Sequence, residues 1–440
     1  MQPVYNLVDS ELPILSTLRS FLRRKFSDSA MLENRDFRHF WLTAAFNSFS
    51  EPISAMAIPL TAALMLHATP SQMGTLVALQ TVPFALFSLP AGVWLDRRAK
   101  FPILFKFEFL FPLALGVIPV AYWLGHLNML LLYTVSFTIG VGYVVGGSAS
   151  QVFLTHLVGR DHLIDAQSHF VATDSLARLI GPGIAGLLVQ WLTAPITLLV
   201  NAGIFLLSCW NLSFIRRRDS VPEPSDKHPL RALIEGLKFV RHHPVLWAMA
   251  WGTAIWQILF NGYLALSILF ATRELHMTPG MLGAAQMLGG IGVLLSSVLL
   301  KPLTARFGTG PMIIFGITGT ALGWAMLPLI PAHAFGSVWG SAILYGSVIF
   351  VFDCSVMLFI MPYLTLRMQL TPDELLGRMI STMRFLTVAT SPVGALSGSW
   401  LGEHLTIRPA LTIIAGGGIV LSLVMIFLSP LRTIRGQQTA

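Results

Sequence analysis

Long apolar stretches recur along almost the whole chain, and they constrain the fold more than any other feature of the sequence. Each holds about twenty residues or more, which is enough to cross the ~30 Å hydrocarbon core of a bilayer as a helix. Twelve such stretches are found, at residues 38–66, 75–95, 102–123, 128–151, 168–191, 195–214, 245–270, 281–300, 311–331, 335–363, 378–401 and 409–429. The sequence therefore predicts an all-α membrane protein with twelve transmembrane helices.

Composition supports this class and excludes others. Of the 440 residues, 54% are hydrophobic and only 11% are charged, whereas soluble domains carry roughly 25% charged residues. The cations that give the net charge of +8 lie mostly in loops, so no nucleic-acid partner is expected. Both cysteines, Cys209 and Cys354, fall inside apolar stretches, which argues against a disulfide framework.

The distribution of Lys and Arg predicts the orientation in the membrane. If the N-terminus is cytoplasmic, 24 of the 28 Lys and Arg residues lie in cytoplasmic segments, as positively charged loops prefer. Arg273 and Arg408 lie outside, and Arg178 and Arg384 lie within helices. We therefore expect a multi-pass protein of the inner (cytoplasmic) membrane with both termini in the cytoplasm.

A single long polar break divides the chain into two sets of six stretches. Residues 216–243 open with a charged, proline-containing linker and continue as an amphipathic helix. Its apolar face consists of Leu230, Leu233, Ile234, Leu237 and Val240. The predicted organisation is a tail at 1–36 with a basic amphipathic helix, a bundle at 37–215, the linker at 216–243, a bundle at 244–430 and a tail at 431–440. A solvated N-terminal tail without a helix is the alternative.

A charged turn joins the second and third stretches. The segment Leu89-Pro-Ala-Gly92-Val-Trp-Leu-Asp96-Arg97-Arg98-Ala-Lys100 places one carboxylate and three cations within five positions. Such a cluster is too costly to leave in hydrocarbon, so it must lie at a membrane face. Gly92 lets a neighbouring helix approach closely.

This turn resembles the signature loop of the major facilitator superfamily, with Ala99 or Arg98 where that loop has its second glycine. Leu157-Val-Gly-Arg-Asp-His-Leu-Ile-Asp-Ala-Gln and Leu370-Thr-Pro-Asp-Glu-Leu-Leu-Gly-Arg-Met resemble its drug–proton antiporter branch, which includes macrolide and enterobactin exporters. The resemblance implies two pseudo-symmetric six-helix bundles that open to each side in turn. It also implies a gating role for Gly92, Asp96, Arg97 and Lys100.

Glu51 is the first candidate for proton coupling. It lies near the middle of the first stretch, directly before Pro52, which interrupts helical hydrogen bonding. A carboxyl group at this depth can exchange a proton when its surroundings change, and related antiporters carry an acid in this helix. A Glu that only bonds to a neighbouring helix is the alternative.

Two further acids lie in the apolar stretches with possible cationic partners. Asp174 and Arg178 are four residues apart and share a helix face. Asp353 and Arg384 lie at similar depth in the tenth and eleventh stretches, so they can pair between helices. Asp174 and Asp353 are therefore further candidates for proton coupling. Together with the two arginines they bind substrate or close the inner gate; the alternative is that they form salt bridges that hold the bundle together.

The fifth stretch also contains a candidate hinge. Gly181, Pro182 and Gly186 resemble the antiporter motif of the fifth helix. Glycine allows close helix contact and proline bends a helix. The alternative is ordinary helix packing.

Amide and aromatic side chains suggest where an organic substrate binds. Gln257 and Asn261 are one turn apart in the seventh stretch, beside Tyr263, and polar groups among aromatic residues are typical of ligand cavities. Asn47 and Tyr143 are further lining candidates. Hydrogen bonding between helices is the alternative for the amides.

We find no motif for other chemistry. The twelve histidines show no metal-ligand spacing and no Walker sequence is present, so no metal, cofactor or enzymatic activity is expected. The predicted function is proton-coupled export of a hydrophobic or siderophore-like molecule by a monomer, with substrate, protons and the bilayer as partners. The alternatives are an importer of a small metabolite, or a receptor or assembly factor that does not transport.

Overall fold

The structure, a computed structural model, describes residues 33–96, 98–159, 162–216 and 229–434. The predicted N-terminal amphipathic helix lies outside these residues. The helices are α1 (Arg35–Leu60), α2 (Pro70–Asp96), α3 (Lys100–Trp123), α4 (Met129–Val158), α5 (Leu163–Leu192), α6 (Ala194–Ser213), α7 (Pro229–His242), α8 (Pro244–Leu269), α9 (Pro279–Phe307), α10 (Thr309–Met326), α11 (Val338–Gln369), α12 (Asp373–Val388), α13 (Ser391–Leu405) and α14 (Ile407–Leu428).

Helices occupy all twelve predicted spans. Among the described residues, nine helices are long and apolar enough to cross a membrane on their own. The other three spans correspond to α1 and α2, which each contain two internal prolines, and to the pair α12 and α13. The eleventh span is therefore broken into two shorter helices, at residues 389–390. The predicted all-α membrane fold is confirmed, and the count of twelve is consistent with it.

Exposed tryptophans mark the two membrane faces. We call the face that carries α7 and residues 33 and 434 the linker face, and the other one the opposite face. Large exposed tryptophans lie near helix ends at both faces, as in the aromatic belts of membrane proteins. They are Trp94, Trp210 and Trp247 at the linker face, and Trp123, Trp191, Trp339 and Trp400 at the opposite face. The chain is therefore a multi-pass membrane protein.

The helices form two bundles with the same internal packing. In the first, α1 packs against α5 and α6, α2 against α4, and α3 against α4 and α6. In the second, α8 packs against α13 and α14, α9 against α11, and α10 against α11 and α14. Each helix pair of one bundle thus has its counterpart in the other, which is the pseudo-symmetry that the resemblance implied.

The two bundles also share an unusual local geometry. Helices α1 and α8 both end in a π-helical turn, Thr61–Met65 and Phe270–Glu274. Each turn is followed by a histidine with positive φ, 49° at His67 and 53° at His276. A left-handed conformation is uncommon for residues other than glycine, so its recurrence at matching positions supports a true internal repeat.

Buried amides join α1 to α6 inside the first bundle. The fully buried Asn201 donates from Nδ2 to the Ser50 carbonyl oxygen (3.1 Å) and to Ser54 Oγ (2.7 Å). One face of α6 also carries Asn211, whose Nδ2 donates to Thr43 Oγ1 (2.9 Å). Such hydrogen bonds stabilise helix pairs where the hydrophobic effect contributes little.

The linker helix α7 is present and packs against α12 of the second bundle. Arg378 and Glu235 form a salt bridge of 2.6 Å across this contact. On its predicted apolar face, Val240 is fully buried, whereas Ile234 remains 52% exposed; the side chains of Leu230 and Leu233 lie outside the described set. An exposed apolar residue on an amphipathic helix suits the surface of a membrane.

Glycines let the bundles meet closely in the half of the protein near the opposite face. A Cβ atom added to Gly283 of α9 would lie 2.5 Å from the Pro182 carbonyl oxygen and 2.9 Å from Gly186 Cα of α5. This is the contact between α5 and α9. A second contact joins α2 to α13, where a Cβ atom on Gly74 would overlap Ser399. We call these two contacts the glycine seam.

Polar side chains reinforce the seam by capping helices of the other bundle. Gln190 at the end of α5 accepts a hydrogen bond through Oε1 from the Gly280 N–H at the start of α9 (2.9 Å). Glu403 at the end of α13 accepts through Oε2 from the Ser71 N–H at the start of α2 (3.0 Å). Helix N-termini need such acceptors, so both bundles are tied together at the opposite face.

Replacement of Gly283 by valine should force the seam apart, because the added side chain meets backbone atoms that cannot yield. Spin labels are attached at Leu130→Cys and Leu329→Cys, which lie at the opposite face in different bundles, in a chain whose Cys209 and Cys354 are replaced by alanine. In Gly283→Val we expect a population with a longer distance between the two labels. Gly416→Val is the matched control, since nothing lies within 4 Å of that position. An unchanged distance distribution in Gly283→Val would contradict the role of the seam.

Candidate transport site

Four charged side chains meet between the bundles. Arg178 of α5 interacts electrostatically with three acids, which are Asp174 of the same helix, Glu51 of α1 and Asp353 of α11. The Arg178 Nε atom lies 2.8 Å from Asp174 Oδ2. We call this group the central charge cluster.

Most side chains of the central charge cluster are exposed to solvent. The side chains of Arg178 and Asp174 are 63% and 42% exposed although both lie in the middle part of a spanning helix, and Glu51 is exposed as well. Lipid does not tolerate such charges, so these side chains must face water between the bundles. Because the glycine seam closes the opposite face, the water space is reached from the linker face.

The predicted pairing of Asp353 with Arg384 differs from the arrangement in the structure. Asp353 lies near Arg178 of the other bundle, and a Cβ atom on Gly289 would overlap Asp353 Oδ2. Arg384 instead lies with its guanidinium 5.3 Å from the centre of the Phe84 ring. None of the salt bridges formed by described residues joins Asp353 to Arg384.

A cavity of about 240 Å³ lies inside the first bundle beside the cluster. Two of the predicted lining residues, Asn47 and Tyr143, face it together with Glu51. Most of the remaining wall is aromatic or apolar, and its aromatic members are Phe40, Phe107, Phe111 and Phe205. This combination suits a partly apolar organic molecule.

The other three predicted lining residues lie in the second bundle. Asn261 and Tyr263 are buried, and Asn261 Nδ2 donates to the Gln257 carbonyl oxygen (2.8 Å). Gln257 Nε2 donates to Ser391 Oγ (3.2 Å), at the start of α13. The Gln257 bond holds α8 to the broken eleventh span, as in the alternative of hydrogen bonding between helices, whereas the Asn261 bond lies within α8. A contact with substrate stays a prediction.

Glu108 of α3 is a buried acid that the sequence reasoning missed. It is 2% exposed and lines the same cavity as Glu51. The sequence alone could have identified it, because Phe107-Glu108-Phe109 lies inside the third apolar stretch. An ionisable residue within a membrane helix is a functional candidate by default.

The predicted hinge residues pack against two different partners. A Cβ atom on Gly181 would meet Pro52 Cγ of α1 at 2.8 Å, whereas Gly186 belongs to the glycine seam. Helix α5 continues through Pro182 from Leu163 to Leu192. The structure thus places these residues where α5 contacts both bundles; bending during transport stays a prediction.

In the charged turn, Lys100 closes the connection between α2 and α3. It is 2% exposed, and its Nζ donates to the carbonyl oxygens of Leu95 (2.6 Å) and Arg98 (2.7 Å). These bonds satisfy carbonyl groups at the end of α2. Arg97 lies outside the described residues, as do the surroundings of Gly92 and the side chain of Asp96.

Comparison with known proteins gives a consistent result. Residues 40–387 match the Major Facilitator Superfamily. The multidrug efflux pump Tap of Mycolicibacterium fortuitum is 26% identical over 80% of this chain and 86% of its own length. The enterobactin exporter EntS of Escherichia coli is 26% identical over 92% of this chain and 95% of its own length.

Solved structures show the same fold. A variant of the nucleoside transporter NupG superposes with a TM-score of 0.72 at 10% identity, covering 89% of this chain and 99% of its own. A bacterial homologue of the iron transporter ferroportin in an inward-facing state gives 0.68 at 17% identity, covering 89% and 98%. The expected transporter fold is confirmed, and the chain is a transporter rather than an enzyme.

The exposed and buried polar contacts should differ in their effect on stability. Asp174→Asn should change the free energy of unfolding by about 0.5 kcal/mol or less, because an exposed pair one turn apart contributes little. Asn201→Leu should cost about 1–2 kcal/mol, since it removes two buried hydrogen bonds. Thermal unfolding of the purified variants in detergent measures both, and equal losses would contradict the assignment of Asp174 to a wet site.

Proposed function

Because the chain belongs to the Major Facilitator Superfamily, we propose that it exports a hydrophobic or siderophore-like molecule in exchange for protons. The central charge cluster carries this proposal. Arg178 lies near three acids from both bundles, and it is exposed near the middle of the membrane together with Asp174 and Glu51. A cluster shared between two bundles changes its contacts whenever the bundles move relative to each other.

Alternating access is the mechanism that we infer. The structure corresponds to a state in which the glycine seam and its caps close the opposite face. In the second state the seam would open, and Asp353 would move relative to Glu51 and Arg178. Substrate and protons compete for the charges of the cluster, so binding of one favours release of the other.

Export is favoured over import by the relatives. Tap and EntS are named as an efflux pump and an exporter, and both match most of this chain. The aromatic cavity beside Glu51 is suited to a substrate with large apolar parts. We place the linker face in the cytoplasm, in an inner membrane, because most Lys and Arg residues lie there.

Reconstitution into liposomes tests the direction and the coupling. Protein in sealed liposomes with an imposed pH gradient is supplied with ethidium, erythromycin or a tricatecholate siderophore. Movement of one of these compounds against the flow of protons supports the proposal. Uptake together with protons would indicate an importer, and the absence of flux with a wider panel would indicate a protein that does not transport.

Glu51→Gln tests the role of the cluster in coupling. Glutamine keeps the size of the side chain but cannot exchange a proton, so gradient-driven transport should fall and its pH dependence should flatten. Glu374→Gln is the control, because Glu374 is exposed at the linker face. Unchanged rate and pH dependence in Glu51→Gln would exclude this residue from coupling.

A further inference from the structure

Glu108 differs from every acid of the central charge cluster. It lies about 12 Å along α3 from Lys100, and it is 2% exposed. The salt bridges between described residues do not include it. A buried carboxylate without a counter-charge is costly, so this group needs another way to reach a stable state.

The groups that contact Glu108 are neutral hydrogen-bonding side chains. Ser208 Oγ of α6 lies 2.5 Å from Glu108 Oε1, and Asn47 Nδ2 of α1 donates to Oε2 at 3.1 Å. When the carboxyl group is ionised, both neighbours donate to it.

The same neighbours can also accommodate a protonated Glu108. The Ser208 hydroxyl has two other acceptors at 3.4 Å, Asn47 Oδ1 and the Thr43 carbonyl oxygen. If Glu108 carries a proton, it can donate to Ser208 Oγ, and the hydroxyl of Ser208 then turns to one of these acceptors. The network therefore satisfies the carboxyl group in either protonation state.

Other titratable groups near Glu108 come from three packed helices. They are Glu51 of α1, Tyr143 of α4 and Cys209 of α6. On its own helix, Lys106 is exposed. Among the described residues, no positively charged side chain acts on the Glu108 carboxyl group. Glu51, in contrast, lies near Arg178.

The cavity gives Glu108 a route to water, because Glu51, which lines the same cavity, is exposed. Both Glu108 and Glu51 line it, and Phe40, Leu104 and Ser150 line its side toward the linker face. A proton can thus pass between cavity water and the Glu108 carboxylate without crossing a packed helix interface.

We propose that Glu108 is a proton-binding site of this transporter, with Ser208 as the hydroxyl that switches between its two protonation states. In the step that we infer, the Glu108 carboxylic acid gives its proton to cavity water on the linker face. The carboxylate keeps its hydrogen bond from Asn47 and gains one from Ser208, whose hydroxyl turns back toward it. A proton taken up from water in the other state restores the acid. This proposal rests on the proposed proton-coupled export and assigns a residue to it.

Infrared difference spectroscopy of the full chain in lipid tests proton binding without transport. A pH titration should reveal a protonated-carboxyl band that is absent in Glu108→Gln and retained in Glu51→Gln. Ser208→Ala keeps the carboxyl group, and the pH midpoint of the band should move by about one pH unit. A spectrum in which Glu108→Gln removes no protonated-carboxyl band, or a midpoint that does not move in Ser208→Ala, would overturn the proposal.

Transport measurements separate this inference from the proposed function. With ethidium as the probe, Glu108→Gln should lose accumulation driven by a pH gradient and retain exchange of labelled for unlabelled ethidium. Gradient-driven transport that persists in Glu108→Gln would refute the inference and leave proton-coupled export standing. A titrating Glu108 band in a protein without proton-coupled flux would refute the function and leave the proton site standing.

Discussion

The high cost of an unpaired charge in hydrocarbon governs the arrangement of this protein. Three sets of ionisable groups in or beside the spans meet this constraint in different ways. Arg178 and its acids face water between the bundles. Lys100 is buried but bonded to carbonyl oxygens at the end of α2. Glu108 is buried with neutral donors, so protonation is its remaining means of neutralisation.

The internal repeat explains how the opposite face can open and close. Helix α5 of the first bundle meets α9 of the second, and α13 of the second meets α2 of the first. Each contact combines a glycine crossing with an amide or carboxylate that caps the partner helix. Because the two contacts are related by the same pseudo-symmetry, a rotation of one bundle weakens both together.

Much of the fold follows from the sequence, because hydrophobic length and the Lys and Arg pattern report directly on membrane spans. The internal repeat has a direct signal in the sequence that the prediction did not use. Leu66-His67-Ala-Thr-Pro70 and Leu275-His276-Met-Thr-Pro279 match closely, and both histidines adopt positive φ. The break in the eleventh span was not predicted, since apolar residues continue on both sides of it.

The site was harder to predict because it depends on contacts between distant segments. Helical spacing was sufficient to pair Asp174 with Arg178. Depth alone suggested Asp353 with Arg384, whereas the structure places Asp353 near Arg178 because Gly289 leaves room for its side chain. Glu108 was overlooked because its partners come from α1 and α6, far away in the sequence.

Alternating exposure of the central site is the claim on which the proposed mechanism depends. Ser48 lines the cavity beside Glu51, and a single cysteine placed there, with Cys209 and Cys354 replaced, reports its access to water. A membrane-impermeant thiol reagent should label Ser48→Cys from the linker face at rest, and from the opposite face when substrate and a proton gradient drive turnover. Labelling from one face alone under both conditions would contradict alternating access.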